Sequence, residues 1–313
     1  MAHLSDDRAQ ILLIGALAMA VAFVALALVL NSSVYVENLA NRENVVVGGQ
    51  GPTGHQGDVR RGVGKAVVAG NANGTSLSDR EAEVEQGVAT LRSALRAYHA
   101  ERATVANVTL VDTDEGTHVF RSTDGNFTAP NDDDPHWQLT AKKNRFRYFS
   151  MNVSRSGLKD IGLNSPSEVF YLRVDDGTDV WTVYIYKNIS VSPDETVVRV
   201  DPSGATCTDA TGSRTDINIT SARVAGEHCE ALDFFESVDP PYTVEFRNAG
   251  AGNVSGQYDF TVEEPAPLSP DYAGDGGITT QEVVYDATAE TVYYSPDARY
   301  VADVRAAPGE PDA

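Results

Sequence analysis

The first stretch with a clear hydrophobic pattern is residues 11–30, which contain no charged or strongly polar side chain. A helix of this length is about 30 Å long, the thickness of a bilayer's hydrocarbon core. The pattern predicts a transmembrane helix at 11–30, after a cytoplasmic tail at 1–10 and before a helical stalk at 31–47. The alternative is a cleaved secretory signal, whose apolar core is usually about 7 to 15 residues long.

Glycine and proline interrupt the pattern after the stalk, and they predict a Gly-rich linker over 48–77. Ser78 and Glu81 then have the spacing of a capping box, with Ser78 as the N-cap. Apolar residues follow at spacings of three and four: Val84, Val88, Leu91, Leu95 and Tyr98. This spacing predicts an amphipathic helix over 78–102.

From residue 103 onwards the pattern alternates with a period of two, which is typical of half-buried strands. Many short runs of this kind, separated by Gly, Pro and Asp, predict a mainly antiparallel β domain over 103–305, packed as a sandwich or barrel. A hairpin turn is expected at 175–179 and a disordered tail at 306–313. The predicted fold class is α+β: a long N-terminal transmembrane helix, one amphipathic helix and an extracellular β domain.

Charge adds information about the environment. The chain has 45 acidic and 24 basic residues, a net charge of −21, and the excess acid is spread along its length. Dispersed carboxylates stay hydrated in concentrated salt, where screening removes most of their mutual repulsion. This composition favours a halophilic source over an ordinary acidic protein. It argues against a nucleic-acid partner, because phosphate binding needs a basic face.

The two cysteines, Cys207 and Cys229, are predicted to form a disulfide in an oxidising compartment. Closing a loop of this size is worth about 3 kcal/mol in the chain-entropy model. A metal site is the alternative, but no C-x-x-C or H-x-x-x-H spacing supplies the other ligands.

Eight N-x-[ST] sequons occur where chance predicts roughly two. One of them, at Asn31, lies at the edge of the predicted span. The other seven are predicted glycosylation sites on an exported surface: Asn73, Asn107, Asn126, Asn152, Asn188, Asn218 and Asn253. Together with the cysteines they predict a cytoplasmic N-terminus and an extracellular C-terminal domain.

Few residues point to chemistry. Asp175, Asp176 and Asp179 are weak candidates for Ca²⁺ binding through carboxylate oxygens, as are the acidic runs at 112–115 and 132–134. Solvated turns on an acid-rich surface are the competing interpretation. The run 62–66 lacks the first glycine and the Ser or Thr of a phosphate loop. No local signature of catalysis is present, so we expect a protein that is not an enzyme and has no cofactor.

The run 142–149 mixes basic and aromatic residues. As a strand, it would place Phe146 and Tyr148 on one face and Arg145 and Arg147 on the other. Core packing with internal salt bridges is favoured there over binding of nucleic acid.

The N-terminus resembles a known group through the runs 7–17, 25–31 and 34–40. It is similar to the starts of haloarchaeal single-pass membrane proteins of unassigned function, and to type IV pilins and the pilus-associated TadE and TadG proteins. The resemblance implies cleavage by a prepilin peptidase next to Arg8 and Ala9. It also implies self-association, or association with envelope proteins, through the N-terminal helix.

These observations predict a non-enzymatic, membrane-anchored, glycosylated surface protein, either as a pilin-like structural subunit or as a tethered module that binds an envelope component or ligand. The expected partners are membrane lipid and other copies or envelope proteins, not nucleic acid.

Overall fold

The computed structural model describes residues 52–131, 133–160, 168–251, 254–263, 277–296 and 298–310. The chain divides after Asp58 into two units, and the second unit, which begins at Val59, contains most of the first helix and every later element. Helix α1 (Pro52–Asn73) runs across this division and is followed by α2 (Leu77–Ala100). The strands are β1 (Val105–Asn126), β2 (Trp137–Gln138), β3 (Phe146–Ser154), β4 (Phe170–Asp175), β5 (Val180–Asn188), β6 (Glu195–Asp201), β7 (Ala205–Asp209), β8 (Arg214–Asn218), β9 (Arg223–Val224), β10 (Glu227–His228), β11 (Thr243–Arg247), β12 (Ser255–Glu263), β13 (Thr279–Tyr294) and β14 (Arg299–Ala306).

The strands form two sheets whose described pairings are antiparallel. One sheet has the order β10-β9-β8-β3-β12-β1-β13-β14, and the other has the order β2-β11-β4-β5-β6-β7. The main core contains buried side chains from both sheets, including Phe146, Phe170, Phe246 and Phe260, together with Phe127, which directly follows β1. The sheets therefore pack as a sandwich, as alternating apolar strands predict.

A second core joins the helices to one end of the larger sheet. Val63 and Val67 of α1 and Val84 and Val88 of α2 are fully buried there, against apolar residues of β1, β13 and β14. The predicted amphipathic helix thus packs on the β domain of its own chain.

No helix within the described ranges is long and apolar enough to cross a membrane. The prediction of a single-pass membrane protein, with a cytoplasmic N-terminus and an extracellular C-terminal domain, is therefore not supported. The predicted fold class and localisation are corrected on this point. The span at 11–30, the tail at 1–10, the stalk at 31–47 and the cleavage site at Arg8 and Ala9 lie outside the described residues.

The predicted linker over 48–77 is wrong where the structure describes it, because residues 52–73 form α1. Two later glycines of the same stretch, Gly62 and Gly70, are contact points between the helices. A Cβ on Gly62 would lie 2.6 Å from the Leu91 side chain, and a Cβ on Gly70 would lie 2.7 Å from that of Val84. Glycine lowers helix propensity, but here it allows close packing, which the sequence pattern alone does not reveal.

The N-cap of α2 is Ser76 rather than Ser78. The Ser76 hydroxyl accepts a hydrogen bond from the Asp79 backbone N–H at 3.2 Å, and the Thr75 hydroxyl donates to the Asp79 carboxylate at 2.6 Å. Several neighbouring Ser and Thr residues compete for this role, so the sequence places the cap to within two residues.

Two predicted boundaries are also corrected. The alternation expected at Phe146 and Tyr148 breaks, because Tyr148 has φ of 58° and its side chain is exposed while Phe146 and Arg147 are both buried. The tail expected to be disordered from residue 306 is packed as far as Glu310: Ala306 is buried in β14, and the Gly309 carbonyl accepts from the Tyr148 N–H at 3.0 Å.

Candidate functional site

The pairing of β1 with β13 is interrupted near the centre of both strands. Asp114 lies opposite Asp286, but the next residue of β1, Glu115, lies opposite Val284. Tyr285 is therefore an extra residue, which makes a β-bulge. A bulge disrupts the strict alternation of side chains, and both Tyr285 and Asp286 are fully buried here. The acidic run at 112–115, expected in a turn, lies within β1 instead.

The bulge brings three carboxylates together. Ligand oxygens of Asp114 in β1, Glu263 at the end of β12 and Asp286 in β13 all lie within 4.8 Å of one another. Asp114 is exposed, Glu263 is partly buried and Asp286 is fully buried. We call these three residues the acid cluster. It extends from the surface into the interior.

Arginine 305 of β14 connects the acid cluster to the C-terminal segment. Its Nε donates to Asp286 Oδ2 at 2.6 Å, and its Nη1 donates to Glu310 Oε2 at 2.6 Å. Burial lowers the pKa of Arg305, but the carboxylates of Glu310 and Asp286 outweigh this effect, so the pKa is raised overall. Arg145 is a second cation here, with Nε 3.6 Å from Glu263 Oε2 and Nη1 3.9 Å from Glu310 Oε1.

A buried arginine lies beneath this network. Arg147 donates from Nη1 to the Pro308 carbonyl at 3.0 Å and from Nη2 to the Val284 carbonyl at 2.8 Å. Its guanidinium carbon lies 5.2 Å from the centre of the Tyr285 ring. Burial lowers the pKa of Arg147 to about 10 and raises the pKa of Tyr285.

Four buried polar atoms of this neighbourhood have no hydrogen-bond partner among the described residues: Arg147 Nε, the Tyr285 hydroxyl, Asp286 Oδ1 and Arg305 Nη2. Such atoms are uncommon in folded proteins, because leaving them unpaired costs about 1–3 kcal/mol each. The concentration of four of them around one bulge makes this region a candidate ligand site.

The buried carboxylate of Asp286 resists ionisation. Burial is the main cause, and the neighbouring Asp114 carboxylate adds to it, while Arg305 opposes both. Together these effects raise the pKa of Asp286 to about 6.

Arg145, Arg305 and Glu310 also line a surface cleft with a volume of about 860 Å³. The opposite side of the cleft is one face of α1. Arg61, Gly64, Lys65, Val68 and Ala72 recur there at helical spacings of three and four. With Arg60, the cleft has five cationic side chains and one anionic side chain, and we call it the basic cleft.

The helical side of the basic cleft changes character along α1. Arg60, Arg61 and Lys65 are exposed at one end, and Val68, Ala69 and Ala72 are exposed towards the other. Val68 is 56% exposed. The cleft therefore offers positive charge next to a small apolar surface.

The predicted Ca²⁺ ligands lie in the hairpin between β4 and β5, but they bind their own turn. Asp175 accepts from the Gly177 N–H at 2.7 Å and from Arg173 at 2.6 Å. Asp176 Oδ1 accepts from the N–H groups of Thr178 and Asp179, at 2.7 and 2.8 Å. These backbone donors lower the pKa of Asp176. These hydrogen bonds give the carboxylates of Asp175 and Asp176 a structural role in the turn.

Cys207 in β7 and Cys229 form a disulfide with their Cα atoms 5.9 Å apart. Cys229 is buried in the main core. The bond joins the edge strand of the smaller sheet to the segment that follows β10.

Of the predicted glycosylation sites, Asn73 and Asn126 are exposed at the ends of α1 and β1. Asn107, Asn152, Asn188 and Asn218 are half-buried in strands, and their side chains take part in hydrogen bonds. Asn253 lies outside the described residues. Use of these sequons stays a prediction.

Sequence reasoning missed most of the acid cluster and the basic cleft. One usable signal was Asp286 within the apolar run 283–287, because an acid inside a buried strand needs a partner. Another was the spacing of Arg61 and Lys65, which becomes informative only once 52–73 is known to be a helix.

A protein family described as "Family of unknown function (DUF7261)" matches residues 5–125, which is less than half of the 313-residue chain. No curated protein and no solved structure matches the chain. The matched region contains α1, α2, most of β1 and Asp114. The chain is thus similar, over residues 5–125, to a family with no assigned function, as the resemblance at its N-terminus predicted.

Proposed function

We propose that the protein is a non-catalytic binding module that holds a short acidic segment of a partner protein in the basic cleft. The observation that carries this proposal is the distribution of charge. Five of only 24 basic residues line one cleft, on a chain with 45 acidic residues. A concentration of one sign of charge in a cleft attracts ligands of the opposite sign.

The size and surface of the cleft support a peptide segment as the ligand. Its volume of about 860 Å³ is in the range of ordinary ligand sites, which is about 300–1,000 Å³. The exposed end with Arg60, Arg61 and Lys65 suits carboxylates, and the end with Val68 and Ala72 suits small apolar side chains. A segment that mixes Asp or Glu with Ala or Val complements both ends.

The surrounding charge limits the length of the ligand. A net charge of −21 repels any long polyanion outside the cleft, so nucleic acid is disfavoured. A short acidic segment meets mainly the five cationic side chains of the cleft, against one anionic side chain, Glu310. The same acid excess supports our proposal that the protein comes from a halophile and works in concentrated salt, where contact pairs in a cleft are screened less than distant charges.

Fluorescence anisotropy of a labelled peptide that alternates Asp and Ala tests this function. A peptide that alternates Lys and Ala is the ligand control. Lys65→Glu reverses one charge in the cleft, and Arg223→Glu reverses one exposed charge in β9, near the opposite edge of the larger sheet. Both variants change the net charge by the same amount.

Of the two peptides, we expect only the acidic one to bind, with an affinity that falls as the salt concentration rises. Lys65→Glu should weaken binding about five-fold, because reversing one exposed ion pair costs about 1 kcal/mol. Arg223→Glu should bind almost as the unaltered protein does. Equal affinity of the two variants, or no preference for the acidic peptide, would contradict the proposal.

A further inference from the structure

We propose that the acid cluster of Asp114, Glu263 and Asp286 binds one divalent cation of the Ca²⁺ type. None of these three carboxylates lines the basic cleft, although Arg145 and Arg305 contact both places. The inference goes beyond the proposed function.

The distances suit a single ion. Two oxygens that ligate the same Ca²⁺ at about 2.3–2.6 Å lie at most about 5 Å apart. The ligand oxygens of all three residues lie within 4.8 Å of one another, so one ion can contact the three together. They come from three strands, which hold them in place: Asp114 from β1, Glu263 from β12 and Asp286 from β13.

A second observation also points to a ligand. Tyr285 is fully buried, and its hydroxyl has no hydrogen-bond partner among the described residues. Asp286 Oδ1 is likewise buried without a partner. A cation bound by the three carboxylates satisfies that oxygen directly.

The arginines nearby compensate the cluster incompletely. Arg305 donates a hydrogen bond to only one oxygen of Asp286, Oδ2, and its Nη1 donates to Glu310 instead. Arg145 lies 3.6 Å from Glu263 and 3.9 Å from Glu310, at the long end of ion-pair distances. Asp114 is exposed, which gives an ion a path from solvent. The irregular arrangement of carboxylates favours Ca²⁺ over Mg²⁺, which demands near-ideal octahedral geometry.

A shared proton is the competing solution for Asp114 and Asp286, since a proton also relieves repulsion between adjacent carboxylates. It predicts that acid, rather than a cation, stabilises the pair. Measurements at pH 7.5 with and without metal therefore distinguish the two.

The test is isothermal titration of the chelator-treated full chain with CaCl₂, together with thermal unfolding. A background of NaCl screens diffuse binding to the acidic surface. Asp114→Asn replaces a charged carboxylate ligand by a neutral amide, whose oxygen binds Ca²⁺ more weakly, at an exposed position that spares the core. Asp179→Asn is the matched control, because it removes the same charge from the hairpin that the sequence suggested as a Ca²⁺ site.

We expect one saturable Ca²⁺ site per chain and a higher melting temperature with Ca²⁺. Asp114→Asn should weaken binding about ten-fold or more, and Asp179→Asn should leave it unchanged. The proposal is overturned if no saturable binding occurs, if the Asp179→Asn variant loses binding while Asp114→Asn retains it, or if only low pH stabilises the protein. Peptide binding measured in chelator reports on the basic cleft separately.

Discussion

The buried pair formed by Arg155 and Asp209 provides a quantitative test of what holds the two sheets together. Arg155 follows β3 of the larger sheet, and Asp209 ends β7 of the smaller one. The arginine donates to the Asp209 carbonyl at 2.9 Å, to the Thr211 carbonyl at 2.8 Å and to the Asp194 carbonyl at 3.1 Å. Its side chain is 11% exposed and that of Asp209 is 2% exposed.

Replacing Arg155 with Met keeps most of the side-chain volume and removes every one of these donors. Removing one partner of a buried pair costs about 3–5 kcal/mol. The lower value applies here, because Thr211 and Thr215 still donate to the Asp209 carboxylate, at 2.6 and 2.7 Å. For a domain of this size, about 3 kcal/mol lowers the melting temperature by about 6–12 °C.

The assay is urea unfolding at neutral pH, with Arg199→Met as the matched control. Arg199 pairs with Asp201 at 2.9 Å, but both side chains are about one-third exposed (34% and 36%). An exposed pair of this kind contributes about 0–1 kcal/mol. If Arg155→Met lowers the free energy of unfolding no more than Arg199→Met does, the hydrogen bonds of Arg155 do not hold the two sheets together.

Four further changes test other parts of the fold. Gly87→Ala should destabilise the folded protein by about 1 kcal/mol, because the new Cβ lies 2.7 Å from the Cβ of Ala66. Gly64→Ala makes only ordinary van der Waals contacts, so it should stabilise the folded protein by about 0.5–1 kcal/mol. Thermal unfolding measures both changes. The pKa of Asp286 is raised to about 6, so the folded state keeps the proton of this carboxyl at pH values where the unfolded state has lost it. Without divalent cations, the protonated carboxyl therefore contributes to the stability of the fold below about pH 4. This contribution is lost as the pH rises through 6. Asp286→Asn should remove roughly 2–3 kcal/mol of pH dependence between pH 4 and 7, seen as the difference between the two unfolding curves. Replacing both Cys207 and Cys229 with Ser should lower the free energy of unfolding, measured in urea, by about 3 kcal/mol. A decrease below about 1 kcal/mol would show that the disulfide does not constrain the unfolded chain.

The sequence predicted those parts of the fold that depend on local periodicity. The amphipathic helix, expected over 78–102, is observed as Leu77–Ala100, and the antiparallel sandwich follows from alternation along the strands. The hairpin at 175–179 follows from its acidic and glycine residues, whose side chains and φ angles suit a tight turn.

The parts that the sequence did not predict depend on contacts between distant segments. Helix α1 begins among the glycines that suggested a linker, and it packs closely on α2 through two later glycines, Gly62 and Gly70. The acidic residues at 112–115 are typical of a solvated turn. Their pairing with β13 instead makes them part of one 22-residue strand, β1. The acid cluster joins residues 114, 263 and 286, and no local pattern shows that a bulge places them together.

The most direct test of the basic cleft uses the small number of lysines in the chain, which are Lys65, Lys142, Lys143, Lys159 and Lys187. Carbodiimide joins a peptide carboxylate to a lysine amine only when the two are in contact, and mass spectrometry then identifies the lysine. With the Asp–Ala peptide, we predict that the main cross-link forms at Lys65, which lines the cleft. Cross-links spread evenly over the five lysines, or absent from Lys65, would contradict binding in the basic cleft.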